Sequence, residues 1–360
     1  VRSLNFSAGP AQLPLPVLLQ LRDELLDWRG TGASVAELSH RGKPFMALAE
    51  EIEADARALL EVPDSHAVLF LSGGATTQQA LIPMNLCAPG EVADYLVTGH
   101  WSKVAIKQAA AICSVNEVAS AEGHAFTRLP PVSEWRRHPD AAYFHVTGNE
   151  TIHGVEVFDL PESDGTPVVA DLSSNIASRP MDFSKIGLAY AGAQKNLGPS
   201  GITLTVVDRA LLAREGMPRP DIFKFASHAA QGSMLNTPPT LNWYVLGLCI
   251  RWMLNEGGTR TFEQSNLEKS AALYSTIDQS SGFYTNPIEA SCRSRMNVPF
   301  VLHDSALDAV FLEESERANM IGLKGHKAVG GMRASLYNAI PLADVHALCD
   351  FMQEFQRRHG

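Results

Sequence analysis

Apolar and polar positions change their period along this chain, and the changes mark out its elements. After Pro14 and Pro16, Leu18, Leu21, Leu25 and Trp28 recur at near-helical spacing and predict a first helix. Pro44 stands at a second helix start, followed by Phe45, Leu48, Ile52, Ala56 and Leu59 on one face. From His66 the texture becomes an alternation. Apolar runs at 66–71, 92–98, 115–119, 141–147, 167–173, 188–191 and 202–208 read as buried strands, with helical stretches at 76–86 and 102–112. This predicts an α/β fold: a mostly parallel sheet flanked by helices on both faces. Past Gly257-Gly258 the pattern changes again. A helix is expected over 261–279, a strand over 296–303, a helix over 305–319, a strand over 333–337 and a last helix over 342–359. The expected division is a large domain over 11–256 and a smaller α+β domain over 257–360, joined by residues 1–10.

Composition narrows the function classes. A chain of 360 residues with 45% hydrophobic and 19% charged residues is globular, with ample core. The net charge is −10 and no basic run exists, so no nucleic-acid partner is expected. An anionic ligand therefore needs positive charge gathered locally. The longest apolar stretch, 243–254, is interrupted by Arg251, and the opening residues have no apolar signal core. No membrane association is expected, and a cytoplasmic location is. Five scattered cysteines without a CxxC pair fit reduced thiols, and twelve histidines without HxH or HExxH spacing argue against a metal site.

Common nucleotide and hydrolase motifs are absent: no GxGxxG after a strand, no GxxxxGK[ST], no GxSxG. What stands out is Lys195, between small residues in the segment 190–201 that links two expected strands. Desolvation of such an amine lowers its pKa and makes it a nucleophile toward aldehydes. Asp171 ends an apolar strand one strand earlier, where it can face the same crevice. Pyridoxal phosphate needs this pair: a lysine for its aldehyde and a carboxylate for its ring nitrogen. Ser72-Gly73-Gly74-Ala75-Thr76-Thr77 runs from strand into helix and offers backbone N–H groups to a phosphate. Trp101 follows the next strand and can stack on a planar ring. Each also has a bland reading: a surface lysine in a glycine-rich turn, a helix-capping acid, a tight βα connection, and core or interface packing.

Several long stretches, in order, resemble the phosphoserine aminotransferases, a class V, fold-type I pyridoxal-phosphate family. They are Asn5-Phe-Ser-Ala-Gly-Pro10, Ser39-His-Arg-Gly-Lys43, Asn149-Glu-Thr-Ile152, Ala191-Gly-Ala-Gln-Lys-Asn196, Asn236-Thr-Pro-Pro-Thr240, Ser294-Arg-Met-Asn-Val298, and Leu323-Lys-Gly-His-Lys327 through Gly330 to Asn338. The resemblance implies that Lys195 binds the cofactor and shuttles a proton at the substrate α-carbon, and that Asp171 holds the ring N–H. It implies Trp101 stacked on the ring and Thr151 at its phenolic oxygen. Ala75 and Thr76 would hold the cofactor phosphate, with Gln194 nearby. Asn236 and Thr237 would reach that phosphate from a second copy, in a homodimer with shared sites.

The substrates implied are phosphoserine with 2-oxoglutarate, or in reverse 3-phosphohydroxypyruvate with glutamate, in serine biosynthesis. 4-Phosphohydroxythreonine, in pyridoxine biosynthesis, is a plausible further one. Arg333 is the candidate for the α-carboxylate, since its fork matches that group bidentately. His40 and Arg41 from the second copy, with His326 and Lys327, are candidates for the phosphate or side-chain carboxylate. Arg41 as a helix cap and His326 as a turn residue are the structural alternatives. Two departures stand out: some relatives carry arginine at Thr76 and serine at Ala8. Other chemistries weighed are a serine–glyoxylate aminotransferase, a cysteine desulfurase using Cys292, and a non-catalytic cofactor-binding regulator.

Overall fold

The computed structural model describes residues 2–360. Its centre is a seven-stranded sheet formed by β1 (His66–Ser72), β2 (Val92–Val97), β3 (Ser114–Ser120), β4 (Ala141–Thr147), β5 (Val168–Asp171), β6 (Leu188–Gly192) and β7 (Ile202–Asp208). The order is β1-β7-β6-β5-β4-β2-β3. Neighbours from β6 to β3 are parallel, while β7 runs antiparallel to both β6 and β1. The fold is thus the expected α/β class, with one reversed strand.

Alternation along the strands sends side chains to two cores. Val68 and Phe70 of β1 face a core shared with α1 (Leu15–Glu24) and α2 (Lys43–Leu60), whereas Ala67, Leu69 and Leu71 face another, under α3 (Ala75–Leu86) and α4 (His100–Ala109). On α2, Phe45, Leu48, Ile52, Ala56 and Leu59 are all buried, as their spacing predicted. Each large side chain so buried contributes about 1.5–3 kcal/mol. They pack on α5 (Thr240–Asn255), where the Trp243 ring lies 4.8 Å from Phe70 and 6.1 Å from Phe45. A Cβ at Gly247 would fall 2.6 Å from Ile52 Cγ1, so this glycine sets the α2–α5 approach. Helix α5 was not among the expected elements. It is apolar nearly all round, so it has no amphipathic period to announce it.

The chain then forms α6 (Gly258–Asp278), a small sheet of β8 (Tyr284–Thr285), β9 (Asn297–Leu302) and β10 (Met332–Ser335), α7 (Asp308–Arg317) and α8 (Leu342–His359). These surround a further core that includes Phe6, and Leu4 pairs with Met320. Among the described residues no helix is long and apolar enough to cross a membrane.

The first helix differs from expectation. It ends at Glu24, and Trp28 begins a separate turn in which Arg29 takes φ 51°. Trp28 is buried against Tyr244, at 6.1 Å between rings, but Leu25 is exposed. The spacing to Trp28 matched a helical period, although the chain turns before reaching it.

Candidate active site

The carboxyl ends of the parallel strands meet at one edge, and each contributes a loop there. The loop after β6 carries Lys195. Its Nζ donates to Thr151 Oγ1 at 2.7 Å. Burial pushes the amine down to about 8, against the opposing pull of Asp171. Asp171 is the last residue of β5, only 5% exposed, and Oδ1 accepts the N–H of Ser173 at 2.9 Å. Sheet register places it between Thr147 and Tyr190. Behind it, Tyr190 Oη and His145 Nε2 lie 2.9 Å apart, and burial pushes His145 down to about 4.

Trp101 lies in the first turn of α4, with Lys195 Nζ 5.9 Å from its ring centre. Its position has a cause that sequence reasoning missed. Glu150, fully buried, accepts the backbone N–H of Trp101 at 2.9 Å, the N–H of Ser102 at 2.9 Å and the Ser102 hydroxyl at 2.8 Å. A carboxylate here satisfies the open N–H groups of the helix end and meets its positive dipole. A Cβ at Gly99 would fall 2.5 Å from Glu150 Cδ, so only glycine admits it. The signal was in the Asn149-Glu-Thr-Ile152 stretch, of which only Thr151 was given a role.

The loop after β1 behaves as an anion cradle. Gly73 takes φ 110°, and α3 begins at Ala75 with no side-chain cap. The N–H groups of Ala75 and Thr76 therefore face an open helix end, the ordinary seat of a phosphate. Gln194 precedes Lys195, and its carbonyl accepts the N–H of Ala11 at 2.8 Å. The Gly9 backbone lies over the lysine: a Cβ there would stand 3.5 Å from Lys195 Cγ.

Arg333 projects from β10. Its Nη1 donates to Thr151 O at 3.3 Å, and its Nε is buried without a partner. Burial lowers its pKa, though a guanidinium stays charged. Thr151 thus lies between Lys195 and Arg333. His326 approaches from the loop before β10, its ring 5.6 Å from that of His100, and Lys327 is exposed beside it.

His40, Arg41, Asn236 and Thr237 are not joined to this cluster. His40 and Arg41 sit in the turn before α2, with Arg41 Nε 3.4 Å from His40 Nε2, and Asn236 and Thr237 are exposed before α5. No hydrogen bond links any of them to Lys195, Asp171 or Arg333 among the described residues. Cys292 is not the mobile thiol a desulfurase needs. It is 2% exposed beside Val155 and Ile288, and burial raises its pKa.

The residues present fit pyridoxal phosphate. An uncapped helix end stands ready for its phosphate, a carboxylate for its ring nitrogen and a lowered lysine for its aldehyde. The Lys195–Trp101 separation admits a flat ring against the indole, whose Nε1 is buried without a partner.

Comparison with known proteins agrees. The family model described as aminotransferase class-V matches residues 3–348. The chain is 57% identical over 359 residues to a phosphoserine aminotransferase of Xanthomonas euvesicatoria pv. vesicatoria, covering 100% of this chain and 99% of that one. It is 56% identical, with the same coverage, to that of Stenotrophomonas maltophilia. Among solved structures, the phosphoserine aminotransferase from Bacillus circulans subsp. alkalophilus superposes with TM-score 0.97 at 42% identity, covering 100% of this chain and 99% of that one. The pyridoxal-phosphate-bound phosphoserine aminotransferase from Trichomonas vaginalis gives 0.93 at 37% identity, over 98% and 100%.

Proposed function

The chain belongs to the class-V aminotransferases, as a pyridoxal-phosphate-dependent enzyme, and from that premise we propose that it moves the amino group between phosphoserine and 2-oxoglutarate. The reverse direction, from glutamate to 3-phosphohydroxypyruvate, supplies phosphoserine for serine biosynthesis. The observation that carries this reading is Thr151 held between Lys195 Nζ and Arg333 Nη1. It sets an amine base and a carboxylate fork on either side of one residue.

When bound, pyridoxal phosphate supplies an aldehyde for the amino group and a protonated ring that withdraws electrons. Lys195 Nζ takes the proton from the substrate α-carbon. Lowering its pKa from 10.5 to about 8 raises its neutral fraction near neutral pH by roughly two orders of magnitude. Asp171 holds the proton on the ring nitrogen, and Tyr190 with His145 holds Asp171 from behind. Arg333 grips the α-carboxylate. Glu150 fixes the Trp101 indole as one face of the slot. Ala75 and Thr76, with Gln194, anchor the cofactor phosphate.

His40, Arg41, Asn236 and Thr237 complete the site of a second copy in a homodimer. The exposure of Arg41, Asn236 and Thr237, and the separation of all four from the chain's own cluster, support this. The chain divides at 256/257, with residues 1–10 joining the smaller part, and it works in the cytoplasm. 4-Phosphohydroxythreonine, one carbon longer and equally anionic, is a second substrate that would serve pyridoxine biosynthesis.

The test is purified protein loaded with pyridoxal phosphate and given phosphoserine and 2-oxoglutarate. Glutamate should form, and Lys195→Ala should abolish it. Faster turnover of serine with glyoxylate than of phosphoserine would overturn the substrate assignment.

A further inference from the structure

A second space lies beside the first turn of α4, next to Trp101. A cavity of about 830 Å³ is walled by His100, Lys103 and Lys107 of α4, by Phe126 and by His153. The His100 ring lies 5.2 Å from the Trp101 ring and 5.6 Å from the His326 ring. Three histidines from three separate segments therefore gather here, His100 and His153 lining the cavity and His326 beside His100.

Two hydrogen bonds fix the chemistry of these rings. His153 Nδ1 accepts the backbone N–H of His100 at 3.3 Å, and His326 Nδ1 accepts that of Ala328 at 3.2 Å. A nitrogen that accepts carries no proton, so a neutral ring carries its proton on Nε2. His153 and His326 then each present an Nε2–H donor and no free lone pair. That suits an oxyanion and does not suit a metal ion.

The surroundings disfavour charge on two of these rings. Burial, with His100 and His326 nearby, pushes His153 down to about 4, and burial with His100, Arg333 and Lys327 lowers His326. Positive charge stands at the rim. Lys107 is exposed with no ion-pair partner among the described residues, Lys327 adjoins His326, and Lys103 is paired with Glu122. The far wall is strained to hold its place. Ala125 and Phe126 take φ 50° and 58°, the left-handed region that a non-glycine residue adopts only at a cost. The Phe126 ring packs on His153 at 4.7 Å.

We propose that His100 and His153, together with His326, form the subsite for the substrate's distal anion, a phosphate monoester or a side-chain carboxylate. This rests on the aminotransferase reading above and adds His100 and His153 to it as specificity-determining residues. Imidazole N–H donors with lysines at the rim serve a phosphate and a carboxylate alike, which a site visited in turn by two different anionic substrates requires.

The test compares wild type with His153→Phe, His100→Phe and the donor-keeping His153→Gln. Half-reactions with phosphoserine, glutamate and L-alanine, which has no distal anion, are followed on the loaded enzyme. Inorganic phosphate binding is titrated calorimetrically. His153→Phe should lose about 10–100-fold in kcat/KM for phosphoserine and at least tenfold less for L-alanine, and it should weaken phosphate binding. His153→Gln should recover part of both. Equal losses on all three amino acids, or phosphate binding unchanged in both phenylalanine variants, would overturn the subsite. Wild type inert toward phosphoserine would instead overturn the substrate assignment, while the phosphate titration, which needs no turnover, still decides the subsite.

Discussion

Glu150 Oε2 accepts the backbone N–H of Trp101 at 2.9 Å, so one buried carboxylate sets where the indole lies. The same group accepts twice from Ser102, and burial raises its pKa while these bonds oppose the rise. Removing it leaves helix-end N–H groups open in a dry interior, where each costs about 1–3 kcal/mol. Glu150→Ala should lower the melting temperature by several degrees and weaken pyridoxal phosphate binding, read by cofactor absorbance. Glu150→Gln keeps an acceptor and should fall between. Cofactor affinity equal to wild type in Glu150→Ala would show that Trp101 is held by other means.

Lys195 gives a prediction about cofactor loading. The amine titrates near 8 in the folded apoenzyme and near 10.5 when exposed, because burial disfavours its charge. Only the neutral amine attacks an aldehyde. The rate at which apoenzyme takes up pyridoxal phosphate should therefore rise with pH and level off above about 8. A rate still rising steeply at pH 10 would place the lysine in an environment as wet as bulk solvent. Lys195→Arg should not load covalently at any pH.

The loading site was legible in advance to an uneven degree. Lys195, Asp171 and the Gly73-Gly74 turn were readable because each follows an apolar run, and strand ends in such a sheet converge. Arg333 and Thr151 were not readable from spacing. They lie 182 positions apart in the chain and meet only because β10 folds back onto the hairpin at 149–156. Glu150 was hidden for another reason: nothing local says that an acidic residue beside a threonine caps a helix 50 positions earlier. Helix α5 gives no amphipathic period because it is apolar on nearly every side, and the first helix is shorter than its pattern predicts because Trp28 falls in phase by coincidence.

Lys269 carries a prediction about stability. It is fully buried on α6, and Nζ donates to the carbonyls of Leu336 and Tyr337, both at 2.9 Å. Tyr337 in turn donates to Ala8 O at 2.8 Å, next to the Gly9 backbone over Lys195. Burial pushes Lys269 down to about 7 from 10.5. Below pH 7 both folded and unfolded states hold the proton. Between about 7 and 10.5 the unfolded state binds it and the folded state does not, so stability rises with pH in this window. The slope is at most about 1.4 kcal/mol per pH unit. Urea midpoints at pH 7.5, 8.5 and 9.5 should climb for wild type relative to Lys269→Met. Parallel curves would mean that the two carbonyls keep the ammonium charged.

Arg333 is predicted to act in binding. Its fork lies beside Thr151 O with Nε unpaired, leaving donors for a carboxylate. Arg333→Lys keeps the charge and loses the fork, so kcat/KM should drop about 10–100-fold for both phosphoserine and glutamate. The α-carboxylate is common to both substrates, so the two losses should match. A loss confined to phosphoserine would move Arg333 to the distal anion.

The separation of Arg41 from Lys195 leads to the last prediction. Arg41 is exposed, and no hydrogen bond ties it to the chain's own pocket. If it serves the pocket of a second copy, Lys195→Ala and Arg41→Ala should each be poorly active alone. Mixed by refolding or co-expression, they form some dimers in which one site carries both defects and the other carries neither. Activity should then reappear, up to about a quarter of wild type for random pairing. If Arg41 served its own chain, every site in the mixed dimer would carry one defect and no activity would return. Recovery in the mixture therefore separates a shared site from a self-contained one without knowledge of the interface.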